Sequence, residues 1–196
     1  MEIILASGSP RRKELMELLG LPFSVRVSDV DESTDPELPP YFIVEQLSLL
    51  KASAVASEMK AEGAEGIVIG SDTVVVFEDA ILGKPKDSAD AKKMLTALSG
   101  NWHSVLTGVT VMNTKNAKSE TFYVETKVHF IPLSQEQIDA YVATGEPLDK
   151  AGSYGIQGKG GLFVDRIDGD YFNVVGLPMC KLATVLKEEF GIEPLR

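Results

Sequence analysis

Cysteine is almost absent from this chain of 196 residues: Cys180 stands alone, and only two histidines, His103 and His129, could join it. A single cysteine excludes an intrachain disulfide, and one cysteine with two histidines argues against a structural zinc site. A metal here must be held by oxygen ligands. Long apolar runs are missing too: the stretches Ile67 to Ile69 and Val74 to Phe77 fall far short of the roughly 20 residues that a membrane span needs. The opening Met1-Glu2-Ile3-Ile4-Leu5 carries no basic segment of the kind that begins a signal peptide. A cytoplasmic location and no membrane partner are therefore expected. Positive charge is scarce, with 19 Lys and Arg against 29 Asp and Glu and a formal net charge of −10. Such a chain repels the nucleic-acid backbone, so no nucleic-acid partner is expected, and any anionic ligand needs a local cationic site.

What is present fits an ordinary globular core, with 44% hydrophobic and 24% charged residues and no repeat or low-complexity tract. Ile3 to Ala6 reads as a buried strand, followed by a helix from Pro10 to Leu19 with Leu15, Leu18 and Leu19 on one face and Gly20 as its stop. Phe23 to Ser28 alternates as a strand, and Tyr41 to about Met59 has helical periodicity. Ile67 to Phe77 is apolar and β-branched, and Asp87 to Leu98 is helical. Ser104 to Met112 and Thr121 to Ile131 read as two strands. Ser134 and Gln137 form a capping box for a helix to Ala143. A glycine-rich loop, Gly152 to Gly161, leads to a strand Leu162 to Ile167 and a last helix from about Pro178 to Phe190. The expected fold class is α/β: a mixed, twisted sheet flanked by helices. It is read as a single domain over 1–196, with two lobes and a cleft between them as a variant of that reading.

The segment Ser7-Gly8-Ser9-Pro10-Arg11-Arg12 carries the first chemical signal. Ser9 suits an N-cap and Pro10 the first helical position, which places Arg11, Arg12 and Lys13 in the first turn. Cations are the wrong sign at the positive end of a helix dipole. A bound phosphate reverses that penalty, because free backbone N–H groups and guanidinium forks then converge on an anion. The segment matches neither a Walker A pattern nor Gly-x-Gly-x-x-Gly, so by itself it indicates phosphate without naming an enzyme.

Other charges sit where apolar residues are expected. Lys51 interrupts the helical stripe Val44, Leu47, Val55, and either snorkels to solvent or points into a cleft. Asp72 lies inside the apolar strand between Gly70 and Val74, where a lone carboxylate is costly, so it needs a cation or a metal. Asp29, Asp31, Glu32 and Asp35 form an acidic loop, either simply solvated or a source of the oxygen ligands that Mg²⁺ prefers. Lys84, in Gly83-Lys84-Pro85, is either a phosphate cation or an exposed turn residue. Nucleophile chemistry has little support: no Gly-x-Ser-x-Gly occurs, neither histidine has an evident serine or cysteine partner, and Cys180 beside Pro178-Met179 reads as a packing residue. A cationic grip plus carboxylates leaves metal-assisted attack of water on phosphorus as the chemistry most in keeping with the residues.

Ile4 through Leu15 (ILASGSPRRKEL), with Gly70-Ser71-Asp72-Thr73, Gly83-Lys84-Pro85 and Asp149 through Gly158 (DKAGSYGIQG), resembles the Maf family of nucleotide pyrophosphatases. Several separated motifs in the right order, spread over essentially the whole chain, make this likeness far more specific than any one of them. It implies cleavage between the α- and β-phosphates of a nucleoside triphosphate, a divalent cation (Mg²⁺ or Mn²⁺) as cofactor, and a homodimer. It assigns Asp72 as general base or metal-organising carboxylate, with Glu32 sharing the metal, and Ser7, Arg11, Arg12, Lys51 and Lys84 as phosphate ligands. Arg11, Thr73 and Gln157 match the dTTP/UTP subgroup, whereas the 7-methyl-GTP subgroup carries tryptophan, glutamine and glutamate there. A glutamine amide offers both a donor and an acceptor, which suits the edge of thymine or uracil. Ser71 replaces an alanine that many relatives have. Two other readings stay open on the sequence: a nucleotidyltransferase, which needs an acceptor, and a noncatalytic nucleotide-binding regulator of division, suggested by the family's association with inhibited septum formation.

Overall fold

The computed structural model describes residues 2–27, 29–35 and 37–194. The elements run β1 (Glu2–Ala6), α1 (Pro10–Leu18), β2 (Phe23–Val25), α2 (Pro40–Ala61), β3 (Gly66–Phe77), β4 (Ala80–Leu82), α3 (Ser88–Leu98), β5 (Trp102–Asn113), β6 (Ser119–Phe130), α4 (Gln135–Ala143), β7 (Val164–Asp168), α5 (Tyr171–Val175) and α6 (Met179–Phe190). Three short 3-10 turns, Glu146–Asp149, Ala151–Ser153 and Lys159–Phe163, lie between α4 and β7. Among the described residues, seven strands form one mixed sheet in the order β2-β1-β3-β5-β6-β7, with β4 on β3. β1 pairs in parallel with both β2 and β3, while β4 and β7 pair antiparallel with β3 and β6. The fold is the expected mixed α/β sheet with helices.

The chain forms two compact units. One comprises the residues up to Asp72, Thr107–Val124 and the chain from Gly176 onward; the other comprises Thr73–Leu106 and Glu125–Val175. In the first, Ile4, Ala6 and Val68 of the sheet bury against Ala52, Val55, Ala56 and Met59 of α2. Each Val, Ile or Met so buried contributes about 1.5–3 kcal/mol. Two glycines let α2 lie this close. A Cβ on Gly70 would sit 2.3 Å from the Ser48 carbonyl oxygen, and one on Gly108 would sit 2.2 Å from that of Val44. The buried stripe of α2 (Ile43, Val44, Leu47, Ser48, Ala52, Val55, Ala56, Met59) turns Lys51 toward the sheet as well.

The first helix corrects one expectation. Leu15, Met16 and Leu19 are buried, but Leu18 is 65% exposed. At about 100° per residue, with Leu15 at zero, Leu19 falls near about 40°, Met16 near about 100° and Leu18 near about −60°. Arg12 falls near about 60°, inside the buried arc, and Arg11 near about −40°, at its margin. Helical phase thus separates two adjacent arginines.

β2 also ends earlier than the alternation suggests. Its last pair is Leu5 with Val25, and Arg26 N–H donates a final bond to the Leu5 carbonyl at 3.1 Å, after which β1 has one residue left. Arg26 and Val27 are therefore not strand, and Ser28 lies outside the described residues. The last strand starts at Val164, since Leu162 and Phe163 belong to a 3-10 turn, and α5 was not expected.

In the second unit, Val75, Val105, Val128 and Phe130 of the sheet bury against Ala91, Leu95 and Leu98 of α3 and Ile138, Tyr141 and Val142 of α4. Phe130 takes edge-on ring contacts from His103, Tyr154 and Phe163. The capping box forms as read: the Ser134 hydroxyl accepts from Gln137 N–H, and the Gln137 side chain accepts from Ser134 N–H. The β3–β4 hairpin turns on Glu78 and Asp79, both at positive φ (49° and 64°), the conformation that tight two-residue hairpins require.

Candidate active site

The register of β1 and β3 builds the site. Their last pair is Ala6 with Gly70, so Ser7, just past the carboxyl end of β1, and Ser71 follow where the parallel pairing stops, while β3 runs on to Phe77. Ser9 caps α1 by accepting from Arg12 N–H, and Pro10 is its first residue. The Ser7 hydroxyl is buried and accepts from Ser9 N–H at 3.3 Å and from Arg12 Nη1 at 3.2 Å. Arg12 Nε donates to the Gly176 carbonyl at 2.8 Å, and the Ser71 hydroxyl donates to the same oxygen at 3.1 Å. One backbone carbonyl thus fixes both the guanidinium and the serine beside Asp72. A Cβ on Gly8 would meet only Val27 at ordinary contact distance, so the glycine leaves an open face on the loop.

Lys51 settles the choice between snorkelling and pointing inward. Its Nζ lies 2.8 Å from Asp72 Oδ1 and 2.9 Å from Glu32 Oε2. Lys51 and Asp72 side chains are each 13% exposed, whereas Glu32 is 54% exposed. Asp72 therefore has the cation that its place in an apolar strand demands, and the acidic loop contributes Glu32 to the same point. Burial pulls the Arg12 pKa below its ordinary value, while the charge of Asp72 acts in the opposite direction. Two cations and two carboxylates make the cluster close to neutral, so an incoming polyanion meets cations already held by charges it can compete with.

These residues also fit a divalent cation. Two carboxylates converge on one point, they are hard oxygen donors, and Mg²⁺ usually takes only one or two carboxylates, with water and phosphate completing its shell. Among the described residues no group of three or more His, Cys, Asp or Glu forms a denser metal cage.

Ser7, Arg12, Lys51, Glu32 and Asp72 are thus brought together within the first unit, with half-buried Arg11 one position away on α1. Thr73, Lys84 and Gln157 belong to the second unit. Thr73 is half-buried in β3 directly after Asp72. Lys84 is exposed, between Gly83, whose carbonyl accepts from Gly152 N–H at 3.1 Å, and buried Pro85. Gln157 is exposed in a turn closed by Gly158 N–H on the Gly155 carbonyl at 3.1 Å. The Gly176 carbonyl went unseen in the sequence, where nothing marks a backbone oxygen for such use. Cys180 is exposed, not packed. His103 and His129 bond to Tyr154 and Asp165 and stand apart from any serine or cysteine nucleophile. A groove of about 600 Å³ in the second unit is lined by Val76, Phe77, Trp102, His103, Lys127 and Asp168 among others, and includes none of the expected site residues.

A guanidinium, an ammonium and two carboxylates gather where the pairing of β1 with β3 ends, a set with the chemistry to meet a phosphorylated ligand. The family model for Maf-like protein matches residues 2–189, and the chain belongs to that family. It is 55% identical over 187 residues to a dTTP/UTP pyrophosphatase of Bacillus cytotoxicus, covering 95% of each chain. It is 54% identical over 192 residues to a dTTP/UTP pyrophosphatase of Bacillus cereus, covering 98% of this chain and 97% of that one. Among solved structures, the Staphylococcus aureus Ham1 protein aligns at 16% identity with a TM-score of 0.48, over 66% of this chain and 72% of that one. No helix among the described residues is long and apolar enough to cross a membrane.

Proposed function

We propose that this chain is a nucleoside triphosphate pyrophosphatase that hydrolyses dTTP and UTP to the nucleoside monophosphate and pyrophosphate. The observation that carries the reading is the convergence of Asp72 and Glu32 on Lys51 beside the Ser7 and Arg12 loop. The relatives' activity supports the choice of bond and of pyrimidine substrate.

In this reading Ser7, Arg11, Arg12, Lys51 and Lys84 bind the phosphates, and Arg12 is pre-oriented by the Gly176 carbonyl, which lowers the cost of positioning. Lys51 exchanges carboxylate partners for phosphate oxygens as substrate enters. Asp72 then takes a proton from the attacking water, whose oxygen bonds to phosphorus as the bridging P–O bond breaks and pyrophosphate leaves with the electron pair. Glu32 and Asp72 would hold the divalent cation, Mg²⁺ or Mn²⁺, which when bound polarises phosphoryl oxygens and offsets developing charge. Arg11, Thr73 and Gln157 select the base.

The same reading takes residues 1–196 as one working domain, active in the cytoplasm as a homodimer; the family resemblance supports it. The test is product analysis across a nucleotide panel with Mg²⁺ or Mn²⁺ and no acceptor substrate. Pyrophosphate released most readily from dTTP and UTP is the expected result, and orthophosphate as first product overturns it.

A further inference from the structure

We infer that Glu146 and Tyr141 form a brace that sets the turn carrying Gln157, making Glu146 a positioning residue for base selection; the inference rests on the function proposed above. Gln157 itself is exposed, so its direction must come from the turn beneath it. That turn wraps around one carboxylate. Glu146 Oε2 accepts from Lys159 N–H at 3.1 Å, and Oε1 accepts from Gly160 N–H at 3.3 Å and from the Tyr141 hydroxyl at 2.9 Å. Tyr141, buried on α4, accepts in turn from Gly155 N–H at 3.1 Å. Both ends of the segment Gly155 to Gly160 are therefore anchored to one tyrosine and carboxylate pair, with Gln157 between the anchors.

The glycines report how closely the chain is drawn in. A Cβ on Gly158 would sit 2.3 Å from Glu146 Oε1, and one on Gly160 would sit 2.7 Å from the Tyr141 hydroxyl. Lys150 closes the third side: its Nζ donates to the Glu146 carbonyl at 2.7 Å, and its stem leaves no space for a Cβ on Gly155. Burial pushes the Glu146 carboxyl upward, but the three donors around it outweigh burial and hold it below the ordinary carboxylate value. It is thus an ionised acceptor shared by three donors, and bonds to an ionised acceptor are stronger than neutral ones. A glutamine here keeps the volume but presents an NH₂ toward one of the backbone N–H donors, so at least one anchor is lost.

The experiment compares wild type, Glu146→Gln, Tyr141→Phe and Gln157→Ala with Mg²⁺, reading kcat and KM for dTTP, UTP, dATP and dGTP, and amide hydrogen exchange at Lys159 and Gly160. Glu146→Gln should lower the pyrimidine to purine ratio of kcat/KM by about 10-fold, chiefly through KM, with kcat on dTTP within about 3-fold of wild type and faster exchange at both amides. Tyr141→Phe, which keeps the buried ring, should shift the ratio in the same direction. An unchanged ratio in both variants, where Gln157→Ala does change it, overturns the brace while leaving Gln157 as base reader. An unchanged ratio in Gln157→Ala overturns the inference at its root, as does a wild-type protein that releases pyrophosphate from no triphosphate, which also overturns the function proposed above. A uniform fall in kcat for all four nucleotides marks Glu146 as merely structural and likewise overturns it.

Discussion

Lys51 and Asp72 meet at 2.8 Å, nitrogen to oxygen, each with 13% of its side chain exposed. The same ammonium lies 2.9 Å from Glu32 Oε2, so it bridges the two carboxylates that would hold a divalent cation. Lys51→Met should therefore leave two carboxylates with only the Arg12 charge to offset them. Removing one partner of a fully buried pair costs about 3–5 kcal/mol, and the exposure of Glu32 reduces the expected loss to about 1–3 kcal/mol. Mg²⁺ should raise the Tm of this variant more than that of wild type. Thermal denaturation with and without Mg²⁺ checks this, and equal shifts count against Asp72 and Glu32 as the residues that would hold the cation.

Asp72→Asn keeps the shape of the side chain and removes its basicity. Turnover should fall about 10²- to 10⁴-fold, the usual share of a general base, while nucleotide binding measured by calorimetry changes little. Wild-type turnover in this variant refutes the assigned role.

Arg12 and Ser71 share the Gly176 carbonyl, so their contributions should couple. Arg12→Lys loses the Nε donor and should cost about 1–2 kcal/mol of stability, and Ser71→Ala about 0.5–1.5 kcal/mol. Urea denaturation of both single variants and the double variant should give a sum that departs from additivity by about 0.5 kcal/mol or more. Strict additivity argues that the two bonds act independently.

Gly70→Ala would set a methyl against the backbone of α2 at Ser48 and Ala52. A loss of about 1–3 kcal/mol or more is expected, since the obstacle is main chain and cannot rotate away. Gly83→Ala, with nothing within 4 Å of the added atom, should stay within about 0.5 kcal/mol of wild type. Denaturant midpoints of the two variants test the contrast.

His103 gives the fold an acid-sensitive point. It is 3% exposed, bonded to Tyr154, and burial lowers its pKa from 6.5 to about 4, with a smaller contribution from His129. Between those values the unfolded chain binds the proton and the native one does not, so stability falls as pH drops from about 6.5 toward about 4, by up to roughly 3 kcal/mol. Unfolding free energies at pH 7 and pH 5 should differ less in His103→Phe than in wild type. Equal pH slopes would show that the loss arises elsewhere.

Much of the fold follows from local rules that act over a few residues. Ser9 and Pro10 start α1, Gly20 follows its end, Ser134 and Gln137 cap α4, and the β-branched run after Ile67 makes β3, all as their patterns indicate. Boundaries moved where a neighbour decides: β2 stops because β1 runs out of partners, and Leu18 faces solvent because Met16 takes the buried arc. The candidate site was legible as a set of misplaced charges, Arg12 at a helix start, Lys51 on an apolar stripe and Asp72 in an apolar strand.

Sequence alone determined that these charges needed partners, because the cost of burying an ion is independent of where the partner comes from. Only the tertiary structure decided which partners they found. The register of β1 on β3 and the bare glycines under α2 bring Lys51 to Asp72 and Glu32. The path of the chain at Gly176 brings a carbonyl to Arg12. Periodicity fixes which face of an element turns inward; what stands opposite that face depends on residues far away in the chain.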